Sequence, residues 1–546
     1  MQLYTKFQRL YHTVRPLRFE QIVYRIYYKL FPLRSISSDL GPCRSADWVW
    51  YGPEVIQPSF LGGNRVCFLN LSGQVNSAQD WNNPAFEKLW LYNLHYFDDL
   101  NAQNSMHRTS TQLALVERWI SENPAAIGNG WEPYPLSLRL VNWIKWYNRV
   151  QLNKPEILCS IDIQAKALSK QLEYHILGNH LFANAKALVF VGCFLQGAAA
   201  DKYLVAGLKI LEREIPEQFL ADGGHFELTP MYHCILLWDL LDLINLASIT
   251  KKQALAVVLP FWRRVAEKAL YWLRVMQHPD GEVSFFNDST MGIAASPAQL
   301  FDYAASLKLE LDTHPLPELV TLPVSGYSRV SMLNHTLLFD HAAVGPDYLP
   351  GHAHADTLSL EWSVGLERVL VNSGTSVYGV SQERLRQRKT AAHNTVEVDN
   401  SDSSEVWSGF RVARRAYAKL LKADSENGNV MLSASHDGYK RLKGKVIHLR
   451  EVNVNRKTLA IVDKLQGKYT TAIVNWHLHP GVKVEQISAC ELMLTLCSGK
   501  HVSIKCNVPL QVLPSTWHPG FGETISSKKV IAHFSSSQVN TTFTVS

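Results

Sequence analysis

Four polar clusters interrupt otherwise apolar stretches of this 546-residue chain, and each holds groups able to grip a sugar or move a proton. The first is Gly178-Asn179-His180-Leu181-Phe182-Ala183-Asn184, which opens a helical run over 181–197. His180 and Asn184 are four apart and share a helix face. Asn179 stands at the helix mouth, where it could equally be an N-cap. The second runs from Asp222 through Gly223-Gly224 to Pro230-Met231-Tyr232-His233. Its glycines permit a tight turn and its proline suits a first helical turn, which would carry Tyr232 and His233. A tyrosine there serves either as a proton donor or as an apolar body with a bonded hydroxyl.

The third cluster is Gly351-His352-Ala353-His354-Ala355-Asp356. Read as a strand, its alternation puts His352, His354 and Asp356 on one face. Two histidines so placed suit metal ligation, or form a surface pair. The fourth holds Asn372, Tyr378, Arg384, Arg386, Arg388 and His393. Its arginines could grip carboxylates or sulfates in bidentate fashion, or form a solvated basic helix. His393 would open a strand and could reach His354.

The elements that must position these groups fall into two textures. Apolar residues recur every three or four positions in 136–150, 163–176, 181–197, 203–213, 233–248 and 262–276, which predicts consecutive helices. Such helices stack as a bundle or close as an α/α toroid. After about residue 325, short alternating runs punctuated by turn residues predict an antiparallel β-sandwich. Pro315-Leu316-Pro317 marks the boundary. The chain divides into a basic N-terminal segment and extended lead-in over 1–84, a helical domain over 85–318 and a β domain over 319–546.

Hydrophobic residues make up 46% of the chain, which excludes long disorder. A net charge of +6, not gathered into blocks, suits a polyanionic ligand and excludes a nucleic-acid footprint. The eight cysteines show no zinc spacing and no disulfide framework. Residues 1–34 carry seven Lys and Arg against one acid, Glu20, with aromatics interleaved. No apolar h-region and no 18-residue apolar run occurs, so neither a Sec signal nor a spanning helix is expected. The segment either packs on the domain or makes peripheral contact with a membrane surface. A cytoplasmic or inner-membrane-associated location follows in preference to a periplasmic one.

The order Asn179-His180, Pro230-Met231-Tyr232-His233, Gly351-His352-Ala353-His354-Ala355-Asp356 and His393-Asn394-Thr395-Val396 resembles the heparinase II/III-like polysaccharide lyases. Trp90-Leu91-Tyr92-Asn93-Leu94-His95-Tyr96-Phe97 and Trp131-Glu132-Pro133-Tyr134-Pro135 look like the branch found beside bacterial surface-polysaccharide genes. The resemblance implies an N-terminal α/α toroid joined to a C-terminal antiparallel β-sandwich, with the cleft between them. It implies β-elimination: loss of the proton on C5 of a uronic acid and departure of the oxygen on C4. It makes Asn179 the carboxylate partner and Tyr232 the acid, with His180 or His352 as the base according to the C5 face attacked, or Tyr232 serving as both. It adds Trp131, Arg139, Asn184, His233, Tyr378 and Arg388 as substrate contacts. It also implies a structural zinc on His354, Asn372 and His393, weakened because Asn372 replaces the usual Asp. No organic cofactor is expected, and the partner is an acidic polysaccharide.

Two other functions compete. A glycan-binding or assembly protein could keep the fold without the chemistry. A glycoside hydrolase would need paired carboxylates, for which Asp222 and Glu227 are the candidates in the second cluster.

Overall fold

The computed structural model describes residues 2–36 and 45–546, so Cys43 and the first part of the extended lead-in lie outside the described residues. The seven described cysteines are free. Twelve α-helices are described: α1 (Gln2–Val14), α2 (Phe19–Leu30), α3 (Lys88–Tyr96), α4 (Thr109–Glu122), α5 (Pro133–Arg149), α6 (Pro155–Ser169), α7 (Gly178–Phe194), α8 (Ala198–Gln218), α9 (Pro230–Thr250), α10 (Gln253–Met276), α11 (Pro297–Ser306) and α12 (Gln382–Arg388).

Contacts between helices separate a toroid from a stacked bundle. α3 packs on α5, α5 on α7, α7 on α9 and α9 on α11, so alternate helices form an inner ring. α4, α6, α8 and α10 cover it from outside. The inner helices α5, α7 and α9 are buried on nearly every face; α7 and α9 are mostly apolar all round, whereas α5 also buries Arg139, Asn142, Lys145 and Asn148. α9 is by length and composition apolar enough to cross a membrane, contrary to the expectation that no segment would be. It is mostly buried in the ring, where its Asp242 binds Lys145 and Lys186.

The β domain begins at Leu319. One sheet runs in the order 510–517, 525–534, 472–478, 367–370, 360–364, 335–340, 327–332 and 319–322, with 396–398 also paired to 472–478. The other runs in the order 418–426, 429–436, 447–455, 458–466, 538–545, 501–506, 491–495 and 483–488. All pairings within these sheets are antiparallel. Trp362, Trp476 and Phe543 fill the layer between them. A separate apolar cluster, including Leu228, Trp272, Phe286, Tyr327 and Leu338, joins the helical domain to the sandwich.

Candidate active site

The site forms where the N-terminal ends of α7 and α9 meet loops of the sandwich domain. Thr229 caps α9 by accepting the backbone N–H of Tyr232 at 3.2 Å, which holds Tyr232 in the first turn. Helix N-termini favour negative charge, and both helices present theirs here.

A carboxylate unmarked in the sequence organises the rest. Asp288 sits in the loop after α10 and is fully buried. Its Oδ2 faces Nδ1 of His352 at 2.9 Å and its Oδ1 faces Nε2 of His354 at 2.7 Å. Arg384 of α12 donates to both oxygens, Nη2 reaching Oδ2 at 2.6 Å. Burial alone would push Asp288 up, but Arg384 and the two imidazoles outweigh it and hold the carboxyl well below its usual range. The loop is pinned on both sides. Asn287, at φ 54°, donates its side-chain amide to the Leu228 carbonyl and accepts the His354 N–H. The Asp288 N–H donates to the His352 carbonyl.

Above Asp288 stand the acid–base candidates. The His352 ring stacks on Tyr232, and the Tyr378 hydroxyl lies 3.3 Å from the Tyr232 hydroxyl and 3.4 Å from His352 Nδ1. With Nδ1 on Asp288, Nε2 is the lone-pair atom of His352. Burial lowers the His352 pKa despite the opposing Asp288, so the imidazole is neutral at neutral pH. Burial and the Tyr378 neighbour raise Tyr232 well above its ordinary value, so its phenol stays protonated.

Asn179 and His180 line the same place from α7. Asn179 lies beside the Tyr134 hydroxyl, and the His180 ring lies 4.4 Å from the Tyr134 ring. Tyr134 in turn lies within electrostatic range of Tyr232, as His180 does of His352. Glu173 orients His180 through Nδ1 at 2.9 Å. Leu177, just before α7, holds φ 71° and ψ −157°, a region almost reserved for glycine, so backbone strain accompanies the placement of Asn179. Glu227 is buried close by: a Cβ on Gly178 would meet its Oε1 at 3.5 Å. That oxygen has no hydrogen-bond partner, and burial followed by the Asp288 charge pushes the carboxyl up to about 8.

Family models match most of the chain: "Heparinase II/III N-terminus" over residues 105–307 and "Heparinase II/III-like, C-terminal" over 314–546. The chain belongs to the heparinase II/III-like family. A heparin-sulfate lyase of Bacteroides stercoris is 23% identical over 387 residues, covering 65% of this chain and 54% of the relative. A heparin-sulfate lyase of Pedobacter heparinus is 24% identical over 396 residues, covering 66% and 57%. The chain thus spans little more than half the length of these curated relatives. A solved heparinase III superposes with a TM-score of 0.68 at 16% identity, covering 97% of this chain and 85% of that one, and shows the shared toroid-plus-sandwich fold.

Several residues expected at the site of this family member have other duties. The His352–Asp356 segment is an irregular loop, not a strand, which begins only at Leu360. His352 and His354 converge by sharing Asp288, not by strand alternation. Arg139 is buried and donates to Gln164 and to the carbonyls of His95 and Gly130. Arg388 is buried and donates to the carbonyls of Ala353, Ser408 and Arg411, so α12 is no solvated basic helix. His233 packs on Trp272 and turns Nε2 to the Ala269 carbonyl. Trp131 donates to the Asn123 carbonyl and packs on Trp119. Asn184 clamps Glu173 through both backbone and carboxylate. These five hold the frame rather than a ligand. Tyr378 is the one expected substrate contact placed directly on the acid–base pair.

The zinc set fits poorly. His354 gives Nε2 to Asp288 and turns Nδ1 to His393 Nε2 at 3.2 Å, as in a hydrogen-bonded pair. Asn372 accepts the Asn394 N–H on its carbonyl oxygen, which keeps one uncharged lone pair, while its Nδ2 and the His393 Nδ1 are buried without a hydrogen-bond partner. Among the described residues, no group of three His, Cys, Asp or Glu has a metal-holding arrangement. The paired carboxylates of a hydrolase are likewise not formed: Asp222 accepts the backbone N–H groups of Val324 and Ser325.

Proposed function

We propose that this chain is a polysaccharide lyase that cleaves a uronate-containing glycan by β-elimination. The observation that carries the reading is the line Tyr232–Tyr378–His352–Asp288, a protonated phenol and a neutral imidazole joined through a second phenol. Elimination needs one group to take the C5 proton and another to give a proton to the departing C4 oxygen. His352 Nε2 is the base, and Asp288 stabilises the imidazolium that forms. Tyr232 is the acid. Its raised pKa keeps the phenol protonated, so no phenolate is present at neutral pH to act as the base, which fits this division of roles.

The C5 proton leaves only if the charge growing on the neighbouring carboxylate is stabilised. Asn179 at the N-terminus of α7 supplies an amide donor and the helix dipole. Glu227, protonated at neutral pH, lies beside it and adds no repelling charge. The resemblance of the Trp90–Phe97 and Trp131–Pro135 segments points to a bacterial surface or exopolysaccharide as the source of the substrate. The zinc expectation has no part in this proposal.

The test is direct. Uronate polysaccharides are incubated with the protein, and ultraviolet absorbance of the unsaturated uronate is followed. Absorbance that grows with wild type and not with Tyr232→Phe supports the lyase. Reducing ends without absorbance indicate hydrolysis, and binding with neither signal indicates a glycan-binding protein.

A further inference from the structure

Helices α1 and α2 form a hairpin fixed to the body on one side only. Arg18 pairs with Glu217 of α8 and lies over the Tyr348 ring, Glu20 pairs with Arg213, and the Tyr28 hydroxyl donates to the Leu172 carbonyl. Trp407 of the sandwich domain donates to Thr13. Gln21, Tyr24 and Tyr28 therefore define the inner face of α2, with Gln21 buried and Tyr24 stacked on Tyr174.

The opposite face should be polar if water covered it. Instead Phe19, Ile26 and Leu30, at helical spacing, are 81%, 55% and 65% exposed. On α1, Phe7, Leu10 and Val14 form a second exposed stripe with the same spacing. Exposed patches of this kind mark an interaction surface. Charge chooses the partner. Lys6, Arg15, Arg25 and Lys29 are also exposed on the hairpin. Among the described residues none of these four has an acidic partner, and the hairpin's one acid, Glu20, is taken by Arg213. Two copies meeting face to face through this surface would oppose like charges. A basic, apolar helix pair fits an anionic bilayer, with its rings and aliphatic chains at the acyl boundary and its cations among the headgroups.

We propose that the α1–α2 hairpin seats the protein on an anionic lipid surface. The inference is independent of the catalytic reading.

The full chain is sedimented with vesicles of phosphatidylcholine alone, and with vesicles carrying about 30 mol% phosphatidylglycerol, which gives a strongly negative surface. Binding to the anionic vesicles and not the neutral ones is expected, weakening as salt rises from about 0.1 M to about 0.5 M. The pair Phe19→Glu/Ile26→Glu removes the apolar contact at exposed positions and is expected to abolish binding while leaving the melting temperature unchanged. Arg25→Glu/Lys29→Glu is expected to weaken binding by about tenfold or more. Failure to bind anionic vesicles at low salt overturns the proposal. So does binding unaffected by Phe19→Glu/Ile26→Glu. A dimer in light scattering that this same pair dissociates, with no lipid binding by wild type, makes the surface a contact between copies instead.

Discussion

The rings of Tyr232 and His352 lie face to face, their centroids 4.0 Å apart and their planes inclined by 29°. Tyr232 comes from the helical domain and His352 from a loop 120 residues later in the sandwich domain. The proposed pair of Tyr232 and His352 is complete only where the two domains meet. Burial acts on both in the sense the chemistry needs, keeping the phenol protonated and the imidazole free of its proton.

Replacing Tyr232 by Phe keeps the ring stack and removes only the hydroxyl. The expected result is a fall in kcat of about 10²–10⁴-fold with little change in substrate binding. Steady-state kinetics with calorimetry of binding separates the two. Tyr378→Phe, which removes the hydroxyl between acid and base, is expected to lower kcat less.

Asp288→Asn leaves Arg384 buried without its countercharge. A loss of about 3–5 kcal/mol of stability is expected, measured by denaturant unfolding. Adding Arg384→Met should recover part of the stability and none of the activity, because the anion behind His352 remains absent.

How much of this was legible in the sequence depends on chain-local signals. The helices announced themselves through apolar periodicity, but their ends did not. Pro216 and Pro260 lie inside α8 and α10, where the missing N–H reads as a break, so the expected runs 203–213 and 262–276 are shorter than the helices. The run 163–176 was expected to be one helix, yet α6 stops at Ser169 and the chain turns through Leu177 at positive φ. Tyr232 and His352 stood out because each interrupts an apolar pattern. Asp288 did not. Its only local signal is the polar run Asn287-Asp288-Ser289-Thr290 after Phe285-Phe286, and its importance lies in groups 64 to 96 residues away. Arg384 and Arg388 are indistinguishable in sequence, and only packing decides that the first meets Asp288 and the second meets carbonyls.

The pH dependence has two parts. On the proposed roles activity needs neutral His352 and protonated Tyr232, so it is expected to rise with pH through the lowered His352 value and to show no alkaline fall from Tyr232 in the ordinary phenol range, which a pH–rate profile reads. Stability behaves differently. Burial lowers His95, His233 and His477 to about 3, and His341 and His354 to about 4. The unfolded chain takes up protons on these groups below about pH 6.5 while the folded chain does not. The histidine contribution should therefore be full above pH 6.5 and fall steeply towards pH 4, each histidine contributing up to about 1.4 kcal/mol per pH unit. Melting temperatures between pH 4 and 8 check this.

Glu227 has the opposite sign. Its folded value of about 8 lies above the ordinary carboxyl value, so the fold holds a proton that the unfolded chain releases. The contribution of Glu227 to stability falls as pH rises from about 4.5 to 8, against the trend set by the histidines. Glu227→Gln keeps the neutral form permanently and should stabilise the protein at pH 7 by about 3 kcal/mol, with no effect at pH 4.5.

Metal content checks the reading of His354, Asn372 and His393. Purified protein is expected to carry far less than one equivalent of zinc, and a chelator should leave its melting temperature unchanged. Stoichiometric zinc that disappears in His393→Ala would show that the pair is a metal site.

The central claim is that bond breaking at this site is an elimination, with no water added across the bond. Products are formed from a uronate polysaccharide in water enriched in heavy oxygen and weighed by mass spectrometry. The account predicts an unsaturated uronate at one new end and, when products are weighed before the anomeric oxygen exchanges with water, no heavy oxygen at either. Heavy oxygen incorporated at a new end, with no unsaturated product, would contradict it.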